Sequence, residues 1–576
     1  MGRVWLKRYG PYGAAVAMAL LAAGGFLGRA PAEFPIDDAY IHFVYAENLA
    51  DGYGLTFNRG EFTGLGTTSI LWVLVLAGFR LAGVSVPLAA KLLGVGSLAL
   101  LAAAVYDLAY RLFFRWRGPQ AVGPALCSAG LVAFSGNLVW FSLSGMETLF
   151  FLAWGFLALA FYWRRRFVLL GVALGLLALT RVEGILLAGV IVLLEVASEK
   201  RLGWPVGIVV GVVAACLTPW IGFVFWKTGH FLPTSFAGKK VGQMLGMNQL
   251  LAQRPLLHLI LGMKPVVYLL GWATYLTLFV LGAGARPGRP PTWYRWEVQP
   301  DFQVSLVGLL LVLLIAVPLL GRAVRLAWRF GEGRSWLAEW GDRPLMALLG
   351  WFLLHNLAYM IMLPNLGTAS RYAALNHVVL WLALAVGVWT LPWDSRWFKL
   401  GIVGVMLLAG TDFGRWSEVY AANIEHMQRV RIAAAQYIDR RLPPEAPVAA
   451  HDIGAVKYFG HRRVVDLGGL IDTAFVSYLR QKRVADYLQE RGVEYLVIPA
   501  AHSAEKGGGW YDYLGADHLN LRQQPQVDLL EERRFEIDRT RWLIGAQPTW
   551  NALAAVLIYR LRWHRPARPP VETDGR

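Results

Sequence analysis

The sequence predicts a polytopic α-helical membrane protein with a small C-terminal α/β soluble domain, and three observations carry that prediction. First, 56% of the 576 residues are hydrophobic and only 16% are charged, whereas a soluble globular chain carries about 25% charged residues. Second, the apolar residues are bunched into nearly charge-free stretches at 14–28, 87–110, 121–139, 149–163, 204–226, 265–285, 303–320, 344–363, 377–392 and 398–410. A hydrocarbon core of roughly 30 Å takes about 20 apolar residues to cross as a helix, and most of these stretches approach that length with their flanks. One such stretch fits a buried core helix; a whole series of them does not. Third, the chain changes character near residue 413, where charged residues become frequent and short mixed patterns replace long apolar ones. The expectation is about 11–13 transmembrane helices over residues 1–412, a soluble domain over 413–565 and a disordered tail over 566–576.

The net charge of +17 does not point to nucleic acid. Many of the arginines and lysines flank apolar spans, which is the positive-inside pattern of membrane topology. Cys127 and Cys216 both lie within apolar segments, so neither a disulfide framework nor a zinc site is indicated.

Each element follows from the N-terminus. Arg3, Lys7 and Arg8 precede the 14–28 stretch and Gly28-Arg29-Ala30-Pro31-Ala32 follows it, a layout shared with signal peptides. Because many spans follow, it reads as an uncleaved first helix with a cytoplasmic N-terminus, which puts 29–68 outside. The 69–83 stretch decides the topology. If it crossed, Arg111, Arg115, Arg117 and the Arg164-Arg165-Arg166 run would lie outside; as an interfacial helix it leaves all of them inside, so the first outer loop extends over 29–86. Residues 167–179 and 184–197 are short for spans and read as a hairpin bent at Arg181 and Glu183. A polar bend at membrane depth requires surrounding protein or a cavity. The cluster Arg322, Arg325, Arg329, Arg334 and Arg343 belongs inside, which makes 364–376 external and leaves the C-terminal domain extracytoplasmic. Counting forward from the outer loop 227–262 gives the opposite parity, so apolar length alone misassigns one segment between 244 and 330. Beyond 413, residues 416–441 and 473–491 read as helical, and 448–450, 464–467 and 495–498 as strands.

The densest polar information lies in the first outer loop. Asp37 and Asp38 open a helix expected over 39–50, closed by Asp51-Gly52, with a turn at Asn58-Arg59-Gly60. Asp37 suits a helix N-cap and Asp38 the helix dipole. One cap needs one acid, and a carboxylate beside the membrane also suits a general base, which must lie within hydrogen-bond reach of the proton it removes. Other polar residues recur at the outer ends of spans: Glu147 in Ser144-Gly145-Met146-Glu147-Thr148, Arg181 and Glu183 in the bend, His230, Lys239 and Lys240 after the span ending at Trp226, and Arg371-Tyr372. Singly, each fits a snorkelling or capping role. Together on one face, two carboxylates and several cations fit a site for a phosphate-bearing substrate, since arginine matches phosphate geometry and ionisable residues at membrane depth are functional-site candidates.

Several blocks then resemble a known family. Asp37-Asp38-Ala39-Tyr40-Ile41, Tyr45-Ala46-Glu47-Asn48-Leu49, Gly52-Tyr53-Gly54-Leu55-Thr56-Phe57-Asn58, Gly60-Glu61 and Thr67-Thr68-Ser69-Ile70-Leu71-Trp72 resemble the first outer loop of GT-C glycosyltransferases. Within that family they resemble the mycobacterial terminal arabinofuranosyltransferase and its bacterial homologues. Weaker matches follow in order at 144–148, 180–184, 232–236, 371–372, 452–455 and 466–470, so the resemblance spans most of residues 1–475. The chain departs from the pattern at Phe62-Thr63-Gly64-Leu65-Gly66, where relatives carry an acid and a tyrosine, and at Val182 and Ile70, where proline is common.

The resemblance implies an inverting transfer of a sugar, an arabinofuranose or a hexose, from a polyprenyl phosphate at the outer face of a bacterial-type plasma membrane. The acceptor would be a cell-envelope glycan, lipid or protein. An acid of the first outer loop, Asp37 or Asp38, would act as base, and Arg181, Lys239, Lys240 and Arg371 would face the leaving phosphate. Tyr45, Glu147, Glu183, His230 and Tyr372 complete the implied substrate-binding set. No cofactor is required by the sequence, although an acidic pair can hold a divalent metal. A transporter or flippase of lipid-linked sugars would use similar spans. Such proteins often show inverted repeats and paired broken helices at the midplane, whereas here the polar motifs cluster on one face without a repeat.

Overall fold

The computed structural model describes residues 2–30, 33–199, 203–231, 314, 316–325, 343–362, 368–472, 474–502, 510–511, 519–537 and 555–564. Most of the segment holding the parity conflict, together with Lys239, Lys240, the 265–285 stretch and the 566–576 tail, lies outside the described residues.

The apolar part is a helical bundle, and the protein is a multi-pass membrane protein. Its elements are α1 (Gly2–Leu27), α2 (Asp38–Ala50), α3 (Ile70–Leu81), α4 (Val86–Arg117), α5 (Val122–Ala133), α6 (Gly136–Leu143), α7 (Thr148–Trp163), α8 (Phe167–Thr180), α9 (Ile185–Glu199), α10 (Trp204–Thr228), α11 (Arg343–Met362), α12 (Ala374–Trp389) and α13 (Arg396–His426). Among the described residues six helices are long and apolar enough to cross a membrane, and α5 and α6 form a further pair bent by 56°. The central helix is α4, which packs against α1, α5, α6 and α7. Its crossing with α6 is close because Gly94 carries no side chain: a β-carbon there would overlap the Ser142 carbonyl, the small-residue solution typical of membrane helices.

Two contacts fix the ends of this bundle. Lys91, near the start of α4, donates to the carbonyls of Glu33 and Leu143 and to the Tyr420 hydroxyl, each at 2.9 Å. At the far end of α4, Asp107 takes hydrogen bonds from Tyr12 (2.6 Å), Arg111 (3.1 Å) and Arg164 (3.0 Å). The basic turn 164–166 therefore lies at the opposite end from the first loop. Helix α3 is short and lies against α2. Its 12 residues extend only about 18 Å, and Arg80 near its end returns to Asp51 at 3.0 Å and Glu47 at 3.6 Å on α2.

Helix α13 continues without a break through a π-helical segment, Met427–Ile432, into α14 (Ala433–Arg441). The compositional change near 413 falls inside this rod. Beyond it come β1 (Val448–Ala450), α15 (Ile453–Gly460), β2 (Val464–Asp466), α16 (Ala474–Arg480), α17 (Val484–Glu490), β3 (Tyr495–His502), β4 (Trp510–Tyr511), β5 (Val527–Glu536) and β6 (Ala555–Trp563). The sheet order is β2-β1-β3-β6-β5, with β4 paired to β3. The β1 strand is parallel to β2 and β3, and β6 is antiparallel to β3 and β5. The first three strands and the α/β character are legible in the sequence; β5, with Asp528, Glu531, Glu532, Arg533, Arg534 and Glu536 in its length, carries too many charges to read as a strand there.

Successive strand residues point to opposite faces, and here the two faces join different cores. Val448, Ala450, Val464, Tyr495, Val497, Val556 and Ile558 belong to the apolar core shared with the first loop and the bundle. Ala449, Val465, Leu496, Ile498, Leu557 and Tyr559 pack with α16 and α17 in a second core. The first loop thus lies under the sheet. Tyr40 of α2 meets Tyr458 and Phe459 of α15 at 5.4 and 5.1 Å between ring centres.

Polar contacts fasten the same surface. Asn58 donates to the Val464 carbonyl at 2.8 Å and accepts the Val464 N–H at 3.0 Å, which closes the edge of β2 as a neighbouring strand would. Glu61 pairs with Arg463 at 2.8 Å, both about a third exposed. Removing the two buried Asn58 bonds with Asn58→Ala is expected to destabilise the docked domain by about 2 kcal/mol. Glu61→Gln, which breaks an exposed pair, is expected to cost under about 1 kcal/mol. Thermal unfolding of the two variants in detergent checks the order; equal effects would contradict it.

Candidate active site

The site is built from turns at one end of the bundle. The Ser144-Gly145-Met146 turn, with Gly145 at φ +77°, is held by the Trp72 indole donating to the Gly145 carbonyl at 3.1 Å. It delivers Glu147 to the start of α7, 2% exposed. The α8–α9 bend delivers Arg181, whose extended backbone breaks the helix. Arg181 donates to Glu147 at 2.9 Å, to Glu183 at 2.6 Å and to the Tyr359 hydroxyl at 2.9 Å. Tyr359 in turn donates to Glu183 at 2.6 Å. On the other side, Ser370 sits at φ +61°, an uncommon region for a residue with a β-carbon, and hydrogen-bonds His377 at 3.1 Å. The next residue, Arg371, reaches Asp38 at 2.7 Å.

Tyr372 lies between the two arginines, with the Arg181 and Arg371 guanidiniums 5.1 and 5.2 Å from its ring centre. It also stacks on Tyr359 at 5.0 Å, and its carbonyl binds His355 at 2.8 Å. Each buried charge therefore has an opposite partner, the condition under which ions are tolerated away from water. The two arginines stay apart because an aromatic face separates them and each faces its own carboxylate.

The acidic pair is split between two environments. Asp38 is 39% exposed on its side chain and faces Arg371. Asp37 is buried, and both its oxygens accept backbone N–H groups at 2.8 Å, from Gly454 and Ala455 of α15. It occupies the N-cap position of α2 but makes no side-chain bond to that helix, so the expected cap is replaced by a contact to a helix far along the chain. Burial pushes the Asp37 carboxyl up to about 6, against the pull of Arg431. Neighbouring Asp452 pairs with Arg431 and with His451 at 3.0 Å. Burial works to raise Asp452, but Arg431 and His451 hold it well below the usual carboxylate range. Asp37, Arg431 and Asp452 line a small cleft beneath Val497, Ile498 and Pro499 of β3. Asp37 is engaged by two N–H donors and Asp38 faces a guanidinium, and among the described residues no group of three or more His, Cys, Asp or Glu side chains is gathered as a metal would require.

The structure brings together Asp38, Glu147, Arg181, Glu183, Arg371 and Tyr372 from the sequence-derived set. Tyr45 is not among them. Its ring is fully buried, and its hydroxyl accepts the Gly66 N–H at 2.8 Å, so it supports the 62–66 turn. His230 lies exposed just beyond α10. The end of that helix still borders the first loop, since Lys227 lies 5.7 Å over the Phe62 ring.

Sequence reasoning missed His42, Tyr359 and Arg431. His42 follows Asp38 by one turn on α2 and sits 3.6 Å from Glu147, with Thr67 at 3.2 Å on its other nitrogen. The four-residue spacing from Asp38 was the available signal. Tyr359 sits in an apolar span and Arg431 in a basic helix, and neither pattern marks it.

Comparison with known proteins bears on the fold. Residues 422–551 match a family model described as Domain of unknown function (DUF8728), and no curated protein matches the chain. Among solved structures, the archaeal oligosaccharyltransferase AglB from Archaeoglobus fulgidus, in complex with an inhibitory peptide and a dolichol-phosphate, aligns with a TM-score of 0.53 at 11% identity, covering 96% of this chain and 89% of its own. ArnT from Cupriavidus metallidurans bound to undecaprenyl phosphate aligns with a TM-score of 0.51 at 12% identity, covering 95% and 97%. The chain has a GT-C membrane fold. At this identity the likeness is one of fold, and the GT-C architecture extends over nearly the whole chain.

Two measurements test the electrostatics of this site. Arg181→Met strands Glu147 and Glu183 without their shared cation and is expected to destabilise by about 3–5 kcal/mol, read as a lowered thermal midpoint. The second concerns His451, where burial works to lower the pKa but Asp452, with Asp466 behind it, leaves it above the ordinary value. Its contribution to stability is complete below about pH 6.5 and is lost as pH rises through the higher folded-state value. The midpoint should therefore fall as pH is raised from about 6 to about 9, and His451→Gln should flatten that slope; an unchanged slope would remove His451 as its source.

Proposed function

We propose that the protein is an inverting glycosyltransferase that moves a sugar from a polyprenyl phosphate to an acceptor hydroxyl at the outer face of the membrane. The observation that carries this reading is the Asp38–Arg371 pair at the mouth of a buried charge network. Asp38 is the member of the acidic pair that solvent reaches. It is the base; Asp37, with both oxygens occupied, is a fixed support. Asp38 takes the proton from the acceptor hydroxyl as its oxygen attacks the anomeric carbon, and the bond from that carbon to the phosphate oxygen breaks on the opposite face.

The phosphate leaves carrying negative charge, so a preorganised cation beside it lowers the barrier. Arg371 fits that role. Its Nε is buried and has no hydrogen-bond partner among the described residues, so a donor remains open beside the base. Arg181 supplies the second cation behind Tyr372, and Lys239 and Lys240 remain candidates outside the described residues. The GT-C neighbours, solved with dolichol-phosphate and undecaprenyl phosphate, support a lipid-phosphate donor. The resemblance to arabinofuranosyltransferases makes arabinofuranose the first sugar to test and a hexose the second, with a cell-envelope glycan, lipid or protein as acceptor. The orientation follows from the basic turns, which lie at the bundle end away from Asp38 and belong in the cytoplasm.

Sugar transfer from radiolabelled polyprenyl-phosphate donors in membranes tests the assignment. Asp38→Asn is expected to lose roughly 10²–10⁴-fold in rate while inserting normally, and Asp37→Asn to lose less. Unchanged transfer in Asp38→Asn would place the base elsewhere, and absence of transfer by the wild type would favour a lipid-linked sugar transporter.

A further inference from the structure

Two aspartates of this chain stand at helix N-cap positions, and neither caps its own helix. Asp37 precedes α2 and Asp452 precedes α15, each without a side-chain bond to the helix it introduces. Asp452 turns instead to Arg431 and His451. That leaves the first-turn N–H groups of α15 open, and Asp37 takes those of Gly454 and Ala455. An N-terminal helix turn offers such donors together with a favourable dipole for a carboxylate. The approach is so close that a β-carbon at Gly454 would overlap the Asp37 carbonyl oxygen and crowd its carboxylate at 2.8 Å. Arg431 comes from the π-helical segment Met427–Ile432, a rare local geometry that recurs at functional sites.

Asp38 is the residue next to Asp37. Whatever fixes the backbone and carboxylate of Asp37 also fixes where α2 begins and where Asp38 leaves it. We propose that the C-terminal domain is a positioning element for the transfer reaction: the N-terminus of α15 holds Asp37 and thereby sets Asp38 against Arg371, with Gly454 the residue that permits the approach. The proposal rests on Asp38 being the base. Arg431 and Gly454 both fall within 422–551, the region that matches the domain of unknown function, and this gives that region a task in the site.

The test uses the full-length protein in native membranes, with radiolabelled polyprenyl-phosphate arabinofuranose and polyprenyl-phosphate hexose as donors. Gly454→Ala is expected to lower kcat at least tenfold while the donor KM stays within about threefold, because displacing a reacting group by about 1 Å can cost 10²-fold. Glu61→Gln, which loosens the same docking surface at its exposed rim, is expected to leave kcat unchanged. If Gly454→Ala does not accumulate, Asp37→Asn serves in its place: it keeps one acceptor oxygen but turns an NH2 toward the other N–H, and the same criteria apply. A fall in kcat smaller than tenfold, a loss carried by KM, or an equal loss in Glu61→Gln overturns the positioning role. Should Asp38→Asn transfer at the wild-type rate, the base assignment fails and the proposal with it; an inactive Asp38→Asn beside a fully active Gly454→Ala refutes the positioning role alone.

Discussion

Asp37 brings a carboxylate into a position only 7% exposed, and a buried carboxylate needs donors or it does not stay charged. Its donors come from 417 and 418 residues further along the chain. That one interaction ties the first loop to the C-terminal domain, and the neighbouring contacts depend on the same register. Tyr40 meets Tyr458 and Phe459, Asn58 closes the edge of β2, and Asp452 is released to pair with Arg431. The sheet's lower face joins the core of the loop and bundle as a result. The soluble domain is therefore packed into the site and not merely appended after the last span.

The membrane side of the site obeys the same constraint with different means. Arg181 bridges Glu147 and Glu183, Tyr359 bonds both Arg181 and Glu183, and His42 flanks Glu147. With two carboxylates sharing one guanidinium the set carries no surplus positive charge, so it fits a scaffold for the turns around it. Arg371 is placed at the edge of that set, where it pairs with a partly exposed carboxylate and keeps one N–H unmatched among the described residues. This arrangement suits charge that develops only during reaction, since groups fixed in advance need no reorganisation when it appears. The GT-C fold supplies the bundle that holds these turns at one level.

Much of this was legible in the sequence because it is local. Apolar length marks α1, α4, α10, α11 and the 374–389 helix. The shortness of 69–83 and the one-sided arginines imply an interfacial α3, and Arg80 returning to Asp51 shows it lying beside α2. Asp37-Asp38, Glu147, Arg181, Glu183 and Arg371 are visible as charges where an apolar chain should have none. Tyr45 misled because a tyrosine in a polar loop looks available, while its hydroxyl is in fact taken by Gly66. His42 and Tyr359 escaped notice because their roles depend on what faces them across the bundle.

The sequence by itself determined that the chain crosses a membrane repeatedly, ends in an α/β domain and concentrates its ionisable residues at the ends of spans. Those properties follow from hydrocarbon length and from the cost of unpaired charge, both readable residue by residue. Only the tertiary structure decided which of two adjacent aspartates is held and which is left accessible. Their chemistry is identical and their positions differ by one residue; the difference lies in a helix N-terminus brought from the other end of the chain. A local pattern cannot encode a donor that arrives through folding, so the difference between the settings of Asp37 and Asp38 appears only once α15 is docked.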